Sequence, residues 1–183
     1  MSYLPDEHRL DDYQREVLKK LKDLNKNSEW VQGFAGTGKT VLLVFLVREI
    51  LEDIVAAGET VTEKSICVLV YTHALKHLIE SGLTSAESSV RVVTKDQFIK
   101  EKGYYDLILI DEVQDIPKSD LASIKARASK IVVAGDLDQS IYPRHCSSMD
   151  EINSILEPRA HNLIILYRIT QIIQKIVKSI LPG

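Results

Sequence analysis

One glycine-rich stretch, residues 32–40, constrains the fold of this chain more than any other part of its sequence. It reads Gln-Gly-Phe-Ala-Gly-Thr-Gly-Lys-Thr and fits the pattern G-x-x-x-x-G-K-[ST]. A loop that wraps a phosphate chain turns its backbone N–H groups inward, and side chains would block that close approach, so glycine recurs in it. The lysine reaches the outer phosphates, and the last hydroxyl can bind Mg²⁺. The residues expected to contact the nucleotide are Gly33, Gly36, Thr37, Gly38, Lys39 and Thr40.

The segments on either side of this loop supply the context that such a loop requires. Residues 30–32 are typical of the end of a strand, and the apolar run that begins at Val41 is long enough for a buried helix. The N-terminus of that helix would face the phosphates with the positive end of its dipole. Strand, loop and helix together predict an ATP site rather than a glycine-rich turn that matches by chance.

Composition places the chain among ordinary globular domains. Its 183 residues are enough for one domain, which we expect to span residues 1–183, and 45% hydrophobic with 27% charged residues argues against disorder. The net charge of -3 argues against a strongly basic nucleic-acid-binding protein but leaves room for a local basic groove. Two cysteines, no signal segment and no apolar run of membrane-spanning length favour a reducing, cytoplasmic setting without a membrane partner.

Predicted strands and helices alternate along the whole chain. Continuous apolar runs such as residues 65–71 are typical of central parallel strands, which are covered on both faces. The alternation predicts an α/β fold with a mostly parallel sheet, in which ligands gather at the carboxyl ends of the strands. The predicted strands are 30–32, 65–71, 90–93, 106–110, 130–134 and 162–166, and the predicted helices are 10–24, 41–57, 94–100, 119–129, 149–156 and 169–180.

Two carboxylates follow directly on one of these strands. The apolar run 107–110 leads into Asp111 and Glu112, which is a Walker-B-like arrangement. We expect the strand to hold Asp111 near Thr40, so that both can bind one Mg²⁺, directly or through water. Glu112 is then placed to orient or deprotonate the attacking water. The alternative is a solvated strand end that carries two acids by accident.

Several motifs carry a resemblance to one family. Residues 111–115, Asp-Glu-Val-Gln-Asp, look like the D-E-x-Q-D box of UvrD/Rep-type superfamily 1 helicases, and residues 135–142 look like their motif III, G-D-x-x-Q-S-I-Y. Residues 166–170 are similar to motif IV, residues 70–76 to motif Ia, and residues 94–98 to the following T-x-x-x-F element. The motifs stand in family order over nearly the whole chain. The resemblance implies a RecA-like P-loop domain of three αβα layers that hydrolyses ATP.

The resemblance also implies roles for residues outside the phosphate loop. Gln14 would pair with the adenine edge through its side-chain amide, and Tyr167 would stack on the adenine. Gln139 would sense the γ-phosphate, and Arg168 would stabilise the charge that develops on it. Together with Glu112, these last two form the implied catalytic set.

The same resemblance implies a contact with nucleic acid. Tyr142 would stack on an unpaired base, for which a flat aromatic face is enough, and an ordinary packed tyrosine is the alternative. Thr72 and His73 belong to the motif Ia segment and would touch the strand. Residues 143–146 read Pro-Arg-His-Cys where the family has Arg-Trp-Arg-Gly, so a second stacking aromatic is missing.

The chain matches the first motor domain of these helicases and ends at Gly183, soon after motif IV. Helicases of this family hold ATP between two RecA-like domains, so the resemblance implies a second such domain as a partner. Binding of single-stranded DNA by this chain alone is expected to be weak. The expected function is the ATP-hydrolysing motor of a superfamily 1 DNA helicase that translocates on single-stranded DNA. The alternative is a regulatory or defence-related P-loop ATPase that binds nucleic acid or protein without unwinding.

Overall fold

A computed structural model describes residues 10–23, 28–60, 62, 65–70, 76–77, 80, 90–136 and 148–165. The strands in this part of the chain form one sheet: β1 Glu29–Gly33, β2 Ile66–Val70, β3 Arg91–Thr94, β4 Tyr105–Ile110, β5 Ala128–Gly135 and β6 Arg159–Leu163. They lie in the order β3-β2-β4-β5-β1-β6, and every pairing is parallel. The parallel sheet predicted from the sequence is therefore confirmed.

Helices cover both faces of this sheet. Successive residues of a strand point to opposite faces, so one strand serves both layers. On β4, Leu107 and Leu109 pack with the first two helices, whereas Ile108 and Ile110 pack with the other three. The three-layer αβα architecture is confirmed. The helices are α1 Asp12–Leu21, α2 Lys39–Ala56, α3 Lys95–Lys100, α4 Lys118–Lys125 and α5 Met149–Leu156, with a 3₁₀ turn at Val113–Asp115.

The strand order brings two loops to the same edge of the sheet. β5 lies between β1 and β4, so the loop after β1 and the carboxylates after β4 leave the sheet one strand apart. Neighbouring strands are about 4.8 Å apart, which puts these two chain ends roughly 10 Å from each other. Side chains from the two segments can therefore meet above the end of β5.

The helix α2 is buried along most of its length. Its buried residues run from Lys39 to Leu51 and lie on all sides, as expected of a helix inside a layered fold. It ends at Ala56, and Gly58 has φ of 73°, in the left-handed region where glycine commonly stops a helix. The predicted end of the helix 41–57 is therefore confirmed to within one residue.

The predicted boundaries of the last strand, 162–166, are wrong. β6 pairs with β1 so that Arg159 lies opposite Glu29, whose side chain is 1% exposed. Arg159 donates to both Glu29 carboxylate oxygens at 3.0 and 2.7 Å, and His161 Nε2 lies 2.8 Å from one of them. A buried carboxylate requires such partners, so this cluster fixes the position of the strand. The apolar Ile164 and Ile165 lie beyond its end and are exposed.

The predicted end of the helix 119–129 is also wrong, because α4 ends at Lys125. Arg127 holds the chain in place just after it. Its guanidinium lies 3.7 Å from the centre of the Phe98 ring and donates to the backbone oxygens of Phe98 and Gly103, each at 2.9 Å. Ala128 then pairs with Tyr105 and begins β5.

Other predictions fall outside the described residues. They are the helix 169–180, residues 71–75 of the motif Ia segment, residues 137–142 of the motif III segment and residues 166–170 of the motif IV segment. None of the described helices is long and apolar enough to cross a membrane.

Candidate nucleotide site

The loop after β1 is a tight turn that requires glycine for two different reasons. At Gly33, a Cβ atom would lie 2.7 Å from the backbone oxygen of Leu163 and 2.7 Å from Thr37 Oγ1, so no side chain fits. Gly36 and Gly38 both have φ of 86°, which side-chain-bearing residues rarely adopt. The first turn of α2 follows without a side-chain cap. Its backbone N–H groups are therefore left for an anion to satisfy.

Lys39 and Thr37 hold this loop through its own backbone. Lys39 Nζ donates to the backbone oxygens of Gly33 at 2.7 Å and Phe34 at 3.2 Å. Thr37, whose side chain is buried, donates from Oγ1 to the same Phe34 oxygen at 2.9 Å. These bonds shape the loop. To reach a phosphate chain, Lys39 would exchange its backbone acceptors for phosphate oxygens.

Gln14 joins α1 to the phosphate loop. Its Nε2 donates to the backbone oxygen of Thr37 at 3.2 Å, and its Oε1 accepts from the backbone N–H of Asp11 at 3.2 Å, within a capping box. The side chain is 4% exposed. Each end of the amide therefore has one partner inside the protein, and an amide can make further hydrogen bonds through its second N–H and its second oxygen lone pair. The adenine contact stays a prediction.

Thr40 and Asp111 meet as predicted from their positions after the loop and after β4. Thr40 Oγ1 donates to Asp111 Oδ2 at 2.7 Å, and the backbone N–H of Glu112 donates to Oδ1 at 3.1 Å. A hydroxyl and a carboxylate are hard oxygen donors of the kind Mg²⁺ prefers. The pair therefore fits the predicted metal, and its role as a metal site stays a prediction.

Burial dominates the electrostatics of this pair. Asp111 is 2% exposed, and burial raises its pKa from the ordinary value of 3.8 to about 6. The neighbouring Glu112 carboxylate adds to the rise, while the bonds from Thr40 and the backbone and the charge of Lys39 oppose it. Ionised Asp111 therefore lowers the stability of the fold, and a bound cation would stabilise the ionised carboxylate.

We expect Asp111→Asn to stabilise the nucleotide-free, metal-free chain at pH 8. Because the folded-state pKa lies above the ordinary value, the ionisation penalty is absent below pH 3.8 and grows as the pH rises through about 6. From the difference between these two pKa values, the ionised carboxylate lowers the free energy of unfolding by about 3 kcal/mol above pH 6. Asparagine keeps the shape, and its amide can bond with both Thr40 and the Glu112 N–H. Urea unfolding at pH 8 should show a gain of about 2–3 kcal/mol.

The control for this variant is Asp106→Asn, because Asp106 is an exposed aspartate on β4, the strand that precedes Asp111. It should change the free energy of unfolding by less than about 0.5 kcal/mol. The gain from Asp111→Asn should shrink as the pH falls toward 4. A loss of stability at pH 8, or a gain that does not depend on pH, would contradict the assignment of a buried, destabilising charge.

Glu112 has an unusual backbone and a defined side-chain partner. Its φ and ψ are 54° and 53°, a left-handed conformation rare for a residue with a side chain and frequent at functional sites. Its Oε2 accepts from Gln114 Nε2 at 2.7 Å. The other end of the Gln114 amide accepts from the backbone N–H of Asp136 at 3.2 Å. The sequence indicated Gln114 only as a letter of the D-E-x-Q-D box, without a role.

The structure brings together the phosphate-loop residues, Gln14, Asp111 and Glu112 at one edge of the sheet. The remaining predicted site residues lie outside the described residues, and their roles stay predictions: Thr72, His73, Gln139, Tyr142, Tyr167 and Arg168.

The fold and this edge of the sheet define a P-loop α/β domain with a nucleotide-binding geometry. A family model described as AAA domain, AAA_19, matches residues 14–144. The chain therefore belongs to this AAA domain family. No curated protein sequence matches it.

Solved helicase structures share this fold. Pif1 helicase from Candida albicans aligns with a TM-score of 0.57 and 19% identity over 87% of this chain and 40% of that one. Bacteroides Pif1 bound to single-stranded DNA gives 0.53 and 17%, and Bacteroides sp. Pif1 in complex with ADP-AlF4 gives 0.52 and 19%, each over 93% of this chain and 45% of the other. This chain thus spans less than half the length of these proteins.

Likeness at these identities shows the fold alone. The predicted RecA-like P-loop fold is confirmed. The finer assignment to the UvrD/Rep type stays a prediction.

Proposed function

We propose that the chain is the ATP-binding and ATP-hydrolysing motor domain of a superfamily 1 DNA helicase, of the UvrD/Rep type that its motifs resemble. One observation carries this proposal: the 2.7 Å hydrogen bond from Thr40 to Asp111. It joins the last residue of the phosphate loop to the first carboxylate after β4, 71 positions away in the sequence. The family match over residues 14–144 and the helicase fold support it.

Each described residue of the site has a part in phosphoryl transfer. The loop N–H groups and Lys39 bind the phosphate chain, and Thr40 with Asp111 would hold Mg²⁺. The ion supplies positive charge to the β- and γ-phosphates. Glu112 orients the attacking water or takes its proton. A solved protein of this fold, Bacteroides sp. Pif1, was crystallised with ADP-AlF4, which supports nucleotide as the ligand.

Residues outside the described part complete the proposed ATP site. Gln139 and Arg168 are proposed to contact the γ-phosphate, and Tyr167 to stack on the adenine, as the family resemblance implies. Arg168 adds a second positive charge beside Lys39 at the transferring phosphoryl group.

Single-stranded DNA is the proposed track. Bacteroides Pif1, which shares the fold, was crystallised bound to single-stranded DNA. Thr72, His73 and Tyr142 are the proposed contacts. Translocation requires two domains that open and close on the strand with each ATP, so a second RecA-like domain is the proposed partner.

We also propose a reducing, cytoplasmic setting. Cys67 is free and buried, and burial raises the pKa of its thiol to about 12. A thiol of this kind is inert and packs as a small hydrophobic side chain. It gives no sign of a disulfide framework.

A regulatory or defence-related P-loop ATPase that does not unwind is the competing function. Both functions use the same ATP site, so the nucleic acid separates them. The experiment is ATP hydrolysis with and without single-stranded DNA, on this chain and on the intact gene product. Stimulation of the intact product by single-stranded DNA, with strand displacement, supports the helicase. A hydrolysis rate that nucleic acid does not change, or that only a protein partner increases, supports the alternative.

A further inference from the structure

We propose that Gln114 is a positioning residue that fixes the Glu112 carboxylate and joins it to the end of β5. This inference rests on the proposed hydrolysis of ATP at the same site. It goes further by assigning a role to a residue that neither the motif pattern nor the family match explains.

The two ends of the Gln114 amide are distinguished by the chemistry of their partners. The backbone N–H of Asp136 only donates, so the amide end 3.2 Å away must be the carbonyl. An ionised Glu112 carboxylate only accepts, so the end 2.7 Å away must be the NH₂ group. The site therefore requires one side chain that donates and accepts at once, which glutamine does and an acid or apolar residue of similar length does not.

Packing confines this amide. Gln114 is 2% exposed and lies within the 3₁₀ turn that follows β4. A Cβ atom on Gly135 would collide with Gln114 Oε1 and would lie 2.9 Å from Val113 Cγ1. The backbone of β5 thus approaches the amide as closely as glycine permits. A displacement of the amide breaks at least one of its two bonds.

Glu112 depends on this amide for its side-chain orientation. The residue is half-buried, and its left-handed backbone opens a 3₁₀ turn closed by the bonds Asp115 N–H to Glu112 O and Ile116 N–H to Val113 O. That turn carries Gln114 back onto the residue two positions before it. The turn sets where the Glu112 backbone lies, and the Gln114 amide sets where its carboxylate points.

The second hydrogen bond of the Gln114 amide connects Glu112 to the backbone at Asp136. Asp136 is the first residue after β5, and the motif III-like segment that contains Gln139 follows it in the sequence. The carboxylate and the start of that segment are therefore one amide apart. A shift of the backbone at Asp136 would move Gln114 Oε1 and, through the same rigid amide, the group bonded to Glu112.

Two variants separate the two bonds. Gln114→Met keeps the shape and removes both bonds. Gln114→Glu keeps an acceptor for the Asp136 N–H but replaces the neutral donor to Glu112 with a second carboxyl group, which repels the Glu112 carboxylate wherever both are ionised. Gln97→Ala is the control, because Gln97 also makes side-chain hydrogen bonds, in the cap of α3, remote from the site.

The readouts, on the intact gene product, are the affinity for Mg·ADP, the affinity for Mg·ADP with aluminium fluoride, and single-turnover ATP hydrolysis; hydrogen exchange at the Asp136 amide is measured on residues 1–183. Both Gln114 variants should bind Mg·ADP like the wild type. Both should lose about 10–100-fold in hydrolysis and lose the extra affinity for aluminium fluoride, because a misplaced catalytic group affects only the transition state. The Asp136 amide should exchange faster in Gln114→Met and stay protected in Gln114→Glu.

The outcomes separate this inference from the proposed function. Wild-type affinity for aluminium fluoride and wild-type hydrolysis in both Gln114 variants would overturn the positioning role and leave the ATP site intact. An equal loss in Gln97→Ala would reduce the effect to general destabilisation and would also overturn it. If the intact wild-type gene product binds Mg·ADP no tighter with aluminium fluoride than without it, the proposed hydrolysis is overturned, and the inference with it.

Discussion

Glu112→Gln is expected to leave nucleotide binding nearly unchanged and to slow ATP hydrolysis by about 10²–10⁴-fold. The carboxylate can take the proton of the attacking water, and an amide of the same size cannot act as that base. In the proposed site other groups hold the phosphate chain, namely the loop after β1 and Lys39. The substitution also spares the local fold, because a glutamine oxygen at position 112 can still accept from Gln114 Nε2.

Single-turnover hydrolysis and Mg·ADP binding, measured on the same preparations of a two-domain version of the protein, test this prediction. Glu101→Gln is a suitable control, because Glu101 pairs with Arg91 on β3 and has no part in the site. Its hydrolysis should match the wild type. If Glu112→Gln hydrolyses ATP at the wild-type rate, the base lies elsewhere. If it loses nucleotide affinity to the same degree, its carboxylate acts in binding rather than in chemistry.

Residues 1–183 on their own are expected to hydrolyse ATP on the order of 10³–10⁵ times more slowly than a complete two-domain motor. Phosphoryl transfer depends on positioning and on positive charge around the transferring group. The described site supplies one such side chain, Lys39, and Arg168 is proposed as another. The family resemblance places a further arginine on a second domain, across the nucleotide, and the absence of a charge of that kind accounts for the expected factor.

A steady-state phosphate-release measurement on the 183-residue polypeptide checks this prediction. Typical enzymes turn over at about 10 s⁻¹, so the expected rate is on the order of 10⁻² s⁻¹ or less. Single-stranded DNA should change it little. A rate near that of an intact motor, stimulated by single-stranded DNA, would contradict the account and would mean that two copies of the chain complete the site for each other. Gel filtration at the assay concentration would then show the dimer.

The parts of the site that the sequence predicted are those that local chemistry decides. The phosphate loop is recognisable because each glycine has a steric or conformational reason that holds in any fold. Asp111 was placed near Thr40 because the apolar run before it predicts a central strand, and parallel strands deliver their carboxyl ends to one edge. These inferences need only short segments and one rule of topology.

The parts that the sequence did not predict depend on contacts between distant segments. The sequence predicted β6 three residues too far along the chain, because the apolar Ile164 and Ile165 lie outside the strand. The strand begins instead at Arg159, which pairs with Glu29, 130 positions away in the sequence. An ion pair between a buried carboxylate and an exposed arginine leaves no periodic pattern in the sequence. The partner of the Gln14 amide, the backbone oxygen of Thr37, is also invisible until the loop is folded.

Isothermal titration of the chain with Mg·ATP tests the central claim most directly, with wild type, Lys39→Ala and the surface control Lys20→Ala compared. The account predicts one bound nucleotide for the wild type and for Lys20→Ala, whose ammonium pairs only with the exposed Glu16 on α1. It predicts an affinity about 10–100-fold lower for Lys39→Ala, because hydrogen bonds to a charged group contribute about 1.5–3 kcal/mol. Equal affinity for wild type and Lys39→Ala, or no binding by the wild type, would contradict it.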